Sequence, residues 1–297
     1  ILADISENPK FRIDYYKYTG TKKKYAFNLR FNFLSQELPS YVQGKESEIQ
    51  IGRNTRIETQ LISTNSLKQS FYIGAIFDAS KSKYRFLSSA FDDFKSGRQA
   101  YFGARFKYYR NSQNDRNYPT DGAEALLETS MHLKDWLDVN LRPGIDTVYI
   151  DTDEGVISLP KELIDPFVDG LVPNSYLSIY GKYSKFVKFG PKFQFHPDFA
   201  AGLTVSSEDP NNIFTEFLVG GYQNVRFNDT RFWGLNYAEV QTPNFIKFGA
   251  EFQYIPFNKI YLRAGANLLG YSDQVPINDL DFFNNVYQQY SYLGYGV

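Results

Sequence analysis

Large apolar and polar residues alternate along several stretches of the chain. From Tyr25 to Phe33 every odd position is apolar, and polar residues hold the even positions from Asn28 to Asn32. The alternation returns from Val187 to His196 and from Ile246 to Tyr254. Successive side chains of a β-strand point to opposite faces, so the pattern predicts strands with one apolar and one polar face. Because the polar face carries whole charges, the pattern favours a closed barrel with lipid outside and water inside over a soluble β-sandwich.

Segments of about ten residues, the length that crosses a bilayer as a tilted strand, can be placed along most of the chain. The sequence therefore predicts an all-β fold, an antiparallel transmembrane β-barrel of about 14–16 strands with an inward-folded loop. We expect residues 1–297 to form this one domain. The stretch from Asp121 to His132 fits a helix or a strand, and its neighbours favour the strand. Strands are predicted to begin near Phe11, Tyr25, Ser47, Gln69, Gln99, Ala123, Leu137, Tyr176, Phe186, Ala200, Phe214, Phe232, Phe245, Lys259 and Tyr287.

The links between these segments differ in length. Short links at Lys185-Phe186 and from Pro256 to Lys259 predict tight turns on one rim. Longer polar links predict loops on the opposite rim, from Asp78 to Gly97, Asp151 to Asn174 and Ser272 to Asn285. The second of these contains three prolines, with about one helical turn expected between Lys161 and Phe167. That loop would either constrict a pore or form a solvated surface excursion.

Composition supports the membrane interpretation. Aromatic residues make up 18% of the 297 residues, which is typical of a barrel with aromatic girdles and an apolar outer wall. No apolar run approaches the roughly 18–20 residues of a spanning helix, so strands are the expected crossing elements. There is no Cys, hence no disulfide framework. The formal net charge of -1 argues against a nucleic-acid partner.

Motifs for catalysis are missing from the sequence. It has no G-x-S-x-G elbow, no P-loop and no H-E-x-x-H, so we expect no enzymatic activity and no cofactor. His132 and His196 are far apart, and a rim or lumen role is favoured over a barrel-borne hydrolase site, which stays open as an alternative. Asp151, Asp153 and Glu154 resemble the start of a calcium loop but lack the bidentate glutamate, so a hydrated turn and no metal site are expected.

Charged residues on the polar faces form the larger feature. A charge on the lipid face would cost roughly 2–4 kcal/mol at the midplane, so these side chains are predicted to face the lumen. They would either line a water-filled pore or pair with an inserted loop, and their mixed signs favour pairing. The predicted lumen-facing charges are Arg30, Arg105, Lys107, Lys188, Lys192, Lys247, Glu251 and Arg263.

The segment from Asn111 to Gly122 resembles a signature of the BamA/TamA-type outer-membrane assembly and translocation barrels, the bacterial surface antigen family. In that family a polar run before Pro-Thr connects two strands. Pro119, Thr120 and Gly122 would form the corresponding turn motif here. The physics agrees, because proline fixes φ and glycine permits backbone conformations that a tight turn requires.

A second segment, Gly220-Gly221-Tyr222-Gln223-Asn224-Val225-Arg226-Phe227, is similar to a loop motif of the same family. The resemblance implies that this loop folds into the barrel and that Arg226 docks on the inner wall. The glycine that follows the arginine in the family is missing, since Phe227 stands there. Arg263 occupies the position where the family has an acidic wall residue, so Glu251 on the preceding strand is the expected partner of Arg226.

The segments Phe11 to Tyr18 and Phe232 to Asn236 resemble in particular the C-terminal barrel of patatin-like phospholipases from Bacteroidetes. This implies a Gram-negative outer-membrane anchor and a scaffold for protein insertion or translocation. Implied partners are outer-membrane lipid and lipopolysaccharide, a client or passenger protein, and subunits of an envelope complex. Further strands would follow Val297, and a phospholipase domain would precede Ile1. A passive diffusion channel and a structural subunit of a larger complex are the alternative functions.

Overall fold

A computed structural model describes most of the chain, namely residues 2–4, 9–20, 23–42, 45–66, 68–86, 93–115, 119–152, 155–164, 166, 173–206, 217–221, 229–257, 260–272 and 290–296. In these ranges the chain forms one helical turn at residues 161–164 and seventeen strands. The strands are β1 (Leu2–Asp4), β2 (Lys10–Thr19), β3 (Tyr25–Val42), β4 (Lys45–Ser66), β5 (Gln69–Phe86), β6 (Phe94–Asn111), β7 (Gly122–Leu141), β8 (Thr147–Thr152), β9 (Gly155–Pro160), β10 (Ser175–Lys188), β11 (Phe193–Ser206), β12 (Phe217–Val219), β13 (Asp229–Thr230), β14 (Val240–Thr242), β15 (Asn244–Tyr254), β16 (Leu262–Ser272) and β17 (Tyr290–Gly296). Among the described helices, none combines the length and the apolar character needed to span a membrane.

One large antiparallel sheet contains twelve of the described strands, in the order β1-β2-β3-β4-β5-β6-β7-β10-β11-β15-β16-β17. Neighbours in the sheet are neighbours in the chain, except where short elements intervene. Strands β8 and β9 form a separate hairpin, and β13, β12 and β14 form a three-stranded sheet. In the described part of the chain β1 pairs only with β2, and β17 only with β16. The predicted all-β antiparallel architecture is confirmed.

The two faces of the large sheet differ as the alternation predicts. Register places Phe27 opposite Leu61 and Leu61 opposite Ile73, and these side chains are 36%, 62% and 61% exposed. Phe248 and Phe252 lie on this same apolar face and are exposed. The residues that alternate with these apolar residues along each strand point to the polar face of the sheet, and most of them are partly or fully buried. We call the apolar face the outer face and the polar face the inner face.

Strand boundaries depart from the predictions in places. Lys185 and Phe186 lie within β10, and the turn lies at residues 189–192, so the predicted strand start at Phe186 is wrong. The starts at Leu137 and Ala200 are also wrong, because β7 and β11 continue through these residues. Strands β3 to β7 have 18–22 residues, far more than the roughly ten residues that were predicted for a strand crossing the bilayer. The stretch after Asp121 is a strand, as favoured.

Two of the longer predicted loops are shorter than expected, and the third, from Ser272 to Asn285, lies outside the described residues after Ser272. Asp78 to Phe86 belongs to β5, and Phe94 already begins β6. Between Asp151 and Asn174 the chain forms most of the β8–β9 hairpin and the helical turn at residues 161–164, which lies inside the predicted helical stretch. The polar residues of β5 and β6 pair with each other, and this backbone pairing explains why a polar composition did not mean a loop.

The link between β6 and β7 contains the predicted turn motif. Backbone amides of Thr120 and Asp121 donate to the Asn114 side-chain oxygen at 2.9 and 3.1 Å. Gly122 has φ +95°, and a Cβ there would lie 2.3 Å from the Ser112 carbonyl oxygen, so this position requires glycine. Pro119 precedes these contacts in the same link.

Candidate functional site

A segment between β11 and β15 folds against the inner face of the sheet. Its described residues, 217–221 and 229–243, are called the inward segment here. Four of its apolar side chains pack against four residues of the wall. The segment contributes Phe217, Val219, Phe232 and Val240, and the wall contributes Tyr180, Ala200, Phe245 and Leu269. All eight are at most 8% exposed, so this part of the interior is a packed apolar core.

Small residues make room for this packing. A Cβ at Gly202 on β11 would lie 2.5 Å from Phe245 Cε1 and 2.7 Å from Phe217 Cε2. Glycine is therefore the residue that fits beneath the two rings. Polar contacts add to the attachment: the Tyr180 hydroxyl lies 3.5 Å from Thr230 Oγ1. The inward segment is fixed to the wall by shape as well as by burial.

The inward segment also lies directly on the last described strand. A Cβ at Gly294 would stand 1.7 Å from the Trp233 carbonyl oxygen and 2.7 Å from Phe232 Cε1. At Gly296 the nearest atom would be Trp233 Cε3, at 2.3 Å. Leu293 and Tyr295 are exposed on the outer face of this strand. The inner face of β17 thus uses glycine where Phe232 and Trp233 supply the packing.

Buried ion pairs cross the inner face of β2 to β7. Arg30 Nε donates to Asp14 Oδ1 at 2.7 Å, and its Nη1 lies 3.3 Å from Glu58 Oε2. Glu58 is fully buried and accepts a 2.6 Å hydrogen bond from Arg105 Nη1, and Arg105 also pairs with Glu128. Asp14, Arg30, Glu58, Arg105 and Glu128 thus alternate in charge across the sheet, and we call these five residues the ion-pair ladder. Each buried charge in it faces an opposite one.

Gly74 explains how the ladder passes over β5. Register places Glu58 of β4 opposite Ile76 and Arg105 of β6 opposite Gly74. No side chain stands at Gly74, so Glu58 and Arg105 can meet across the intervening strand. A second buried pair, Arg56 with Asp78, lies beside it, joined by a 2.7 Å bond from Arg56 Nε. Arg56 and Asp78 stand directly opposite each other on the neighbouring strands β4 and β5, whereas Glu58 and Arg105 connect strands that are not neighbours in the sheet.

A cavity of about 630 Å³ lies between the inward segment and the wall strands β10, β11, β15 and β16. The inward segment contributes Thr230, Arg231 and Trp233 to its lining. The wall contributes charged residues, among them Glu251 and Arg263. Its size falls in the range of small-molecule sites, about 300–1,000 Å³. In the described residues, the inner face therefore combines a packed core, an ion-pair ladder and a polar cavity.

The structure places the predicted lumen charges in three settings. Arg30, Arg105 and Lys107 belong to the ladder region, where Lys107 Nζ lies 4.0 Å from Glu128 Oε2. Lys247, Glu251 and Arg263 line the cavity. Lys188 and Lys192 differ from the prediction. Lys188 lies at the rim, half-exposed and 3.4 Å from Asp121, and Lys192 lies in the exposed turn at residues 189–192, because the strand ends before it.

The predicted loop motif is described only in part. Gly220 and Gly221 have φ +132° and +73°, and a Cβ at Gly220 would lie 2.2 Å from the Asn236 carbonyl oxygen. Val225, Arg226 and Phe227 lie outside the described residues, so the docking of Arg226 stays a prediction. Within the described part of the inward segment, Arg231 is the cation that interacts electrostatically with Glu251. The sequence motif did not point to this arginine.

Both histidines stack on aromatic rings. His132 lies 4.5 Å from Tyr176 between ring centroids, and His196 lies 4.0 Å from Phe186. Across the described residues, no group of three or more histidine, aspartate or glutamate side chains could hold a metal ion. Asp153 and Glu154 of the calcium-like turn lie outside those residues.

The apolar part of the inner face was not predicted from the sequence. Tyr180, Phe245 and Leu269 stand at inner positions where the alternation calls for polar residues. Their signal was available as a break in the alternation: Phe245 precedes Ile246 without a polar residue between them. Adjacent apolar residues in a barrel strand indicate a segment packed inside.

Comparisons with known proteins agree with this architecture. The family model of the OMP85 superfamily matches residues 173–297. A crystal structure of BamA from Haemophilus ducreyi lacking POTRA domains 1–3 has a similar fold, with a TM-score of 0.56 at 11% sequence identity. The match covers 88% of this chain and 49% of that one, so the chain spans about half the length of the BamA structure. No curated protein matches the chain in sequence.

Proposed function

We propose that the chain is an outer-membrane scaffold for inserting or translocating proteins, because the OMP85 superfamily model matches residues 173–297 and the sheet has a fold similar to that of a BamA barrel. The outer face supplies the lipid contact. The inner face holds an inward segment in place of an open channel. Lipid and lipopolysaccharide would contact the outer face, and a client or passenger protein would be the transient partner.

The observation that carries the proposal is the packed core between the inward segment and the wall. Phe217 and Phe232 are at most 1% exposed there. A passive pore needs a continuous water path, whereas an apolar core of this kind obstructs one. The ion-pair ladder links the inner faces of β2 to β7. Such a barrel is suited to acting on its surroundings through its wall and edges.

The edges of the sheet suggest how the protein could bind a client. Within the described residues, β17 is paired on one side only, and a strand edge presents unpaired backbone N–H and C=O groups. Such an edge can add a strand from another chain through main-chain hydrogen bonds. We propose that a client strand pairs with an open edge of the sheet of the full-length protein as the client enters the bilayer.

The test is a folding assay in lipid vesicles. The protein is reconstituted in its full-length form, and an unfolded client barrel is diluted from urea into the vesicles. Appearance of the client's heat-modifiable band on a gel gives the rate, which we expect to exceed that of empty vesicles several-fold. Vesicles carrying an unrelated barrel at the same protein-to-lipid ratio control for bilayer defects. Equal rates in all three preparations would exclude the role.

A passive diffusion channel is the second candidate function. The cavity supports this candidate, because the cavity is polar and lies on the inner face. Planar-bilayer conductance separates the two functions. A steady, ohmic open state would support the channel, while a closed or briefly flickering trace would support the obstructed scaffold. A structural subunit of a larger complex predicts co-purifying partners after mild detergent extraction.

We also propose that the barrel acts without catalysis and that a patatin-like phospholipase domain accompanies it. The resemblance of Phe11 to Tyr18 and of Phe232 to Asn236 supports the second point. The reading frame upstream of Ile1 tests it directly. A G-x-S-x-G domain there would support the fusion, and repeated periplasmic modules would support an assembly factor instead.

A further inference from the structure

The cavity beneath the inward segment contains charged groups of two kinds. Lys182 Nζ lies 3.0 Å from Glu124 Oε1, and Lys247 Nζ lies 2.6 Å from Asp198 Oδ2. These two pairs are close and satisfy their charges. Four cations and three carboxylates line the cavity in all, since Arg231, Arg263 and Glu251 complete the set. The lining therefore carries one more positive than negative group, which favours an anionic occupant.

The third pair is loose. Arg263 Nε stands 3.5 Å from Glu251 Oε1, which is too long for a hydrogen bond. In the described part of the chain, Arg263 Nη2 and Glu251 Oε1 have no hydrogen-bond partner. Two neighbours in the cavity share this state: Asn267 Nδ2, on a residue that is 6% exposed, and His196 Nε2. Four unsatisfied polar atoms thus belong to residues that line the same space.

These atoms specify a chemistry. Arg263 and Asn267 offer N–H donors, which call for oxygen acceptors. Glu251 offers a carboxylate oxygen, which calls for a donor. A fully deprotonated anion would satisfy the first two groups and be repelled by the third. An oxyanion that keeps an O–H satisfies all of them, and the His196 ring nitrogen can act as donor or acceptor beside it.

We propose that this cavity binds a hydrogen phosphate group, through Arg263 and Asn267 as donors and Glu251 as acceptor of the phosphate proton. The site joins the inward segment to the wall, because Arg231 and Trp233 of the segment line it together with these three residues. A bound phosphate would hold the two together. This inference concerns binding and does not depend on the proposed scaffold function.

Tryptophan fluorescence offers the readout. The chain has two tryptophans, so Trp136→Phe leaves Trp233 of the cavity as the single reporter. The full chain in lipid vesicles is titrated with inorganic phosphate and, separately, with sulfate at matched ionic strength. Sulfate has the shape of phosphate but no O–H at neutral pH. We expect a saturable change with phosphate and about ten-fold weaker binding of sulfate, because Glu251 would be left facing an anion without a proton.

Two variants with opposite expected effects distinguish the loss of a specific contact from misfolding of the cavity. Arg263→Gln is expected to weaken phosphate binding about ten-fold, since one charged donor is removed. Glu251→Gln is expected to strengthen sulfate binding and to abolish the preference for phosphate. Lys107→Gln removes another cation of the inner face, outside the cavity lining, and should change neither affinity. A collapsed cavity could not gain affinity for sulfate.

Glycerol 3-phosphate distinguishes the source of the phosphate. At about pH 6, near the second pKa of a phosphomonoester, this probe keeps a proton on a large fraction of molecules. Binding as tight as that of inorganic phosphate would assign the site to phosphomonoester groups, and binding of inorganic phosphate alone would assign it to the free ion. A linear, unsaturable response, or equal affinity for phosphate and sulfate in the parent chain, would overturn the proposal.

Discussion

Replacing Glu58 with Gln is expected to lower the free energy of unfolding by about 3 kcal/mol, the low end for removing one partner of a buried ion pair. Glu58 is fully buried and lies between Arg30 and Arg105, whose side chains are 13% and 5% exposed. The amide keeps the shape but leaves two guanidinium groups facing each other with less compensation. Urea titration in lipid vesicles, followed by tryptophan fluorescence, measures the loss.

Asp121→Asn is the matched control, because it makes the same chemical change in an exposed pair. Asp121 and Lys188 are 61% and 49% exposed and 3.4 Å apart. Exposed pairs contribute little to stability because solvent screens them, so this variant should unfold close to the parent midpoint. Equal effects of the two variants would mean that the ladder is hydrated and contributes little to stability.

Gly294→Val is expected to displace the inward segment from β17 and to cost about 3 kcal/mol, at the upper end for overpacking. The added side chain would collide with the Trp233 carbonyl oxygen, whose position a Cβ would approach to 1.7 Å. Because the obstacle is backbone, no side-chain rotation relieves it. In the Trp136→Phe background, the Trp233 emission should shift to longer wavelength, and the conductance of the barrel should rise.

Gly296→Ala provides the comparison, since its obstacle is the Trp233 ring, 2.3 Å from the new Cβ. Truncating that ring should rescue Gly296→Ala and leave Gly294→Val unrescued. A double-mutant cycle of unfolding free energies with Trp233→Ala measures both couplings. Rescue of Gly294→Val by Trp233→Ala, or no coupling at Gly296, would contradict the contact between the inward segment and β17.

The alternation in the sequence predicted which residues face outward because a strand's period of two leaves little freedom once one face must meet lipid. Phe27 and Phe248 on the outer face and Arg30 on the inner face follow from that rule alone. Strand ends were less predictable. Strands β7 and β11 continue through Leu137 and Ala200, and the register shift beside Trp136 interrupts the alternation of β7 without ending the strand.

The interior could be predicted only in part, for a related reason. Charges at Arg105 and Glu251 indicated a polar inner face, but Glu58, the buried partner of Arg105, lies two strands away in the sheet. Glu58 reaches Arg105 because Gly74 leaves the position between them open, and a local pattern does not contain that relation. The interaction of Arg231 with Glu251 was not predicted, because the family motif contains Arg226, five residues earlier, and ends before Arg231.

The central claim is that the sheet has a lipid-facing outer side and an enclosed polar inner side, and spin labels at adjacent residues test it most directly. The chain has no Cys, so single-cysteine variants can be labelled uniquely. Tyr183 is 47% exposed on the outer face, and its neighbour Ser184 stands on the inner face of β10. Phe248, also on the outer face, and Lys247, which lines the cavity, form a second such pair. In lipid vesicles, nitroxides at Tyr183 and Phe248 should be relaxed by oxygen, and those at Ser184 and Lys247 should be shielded from it. Shielded labels at Tyr183 and Phe248, with oxygen reaching Ser184 and Lys247, would contradict the account.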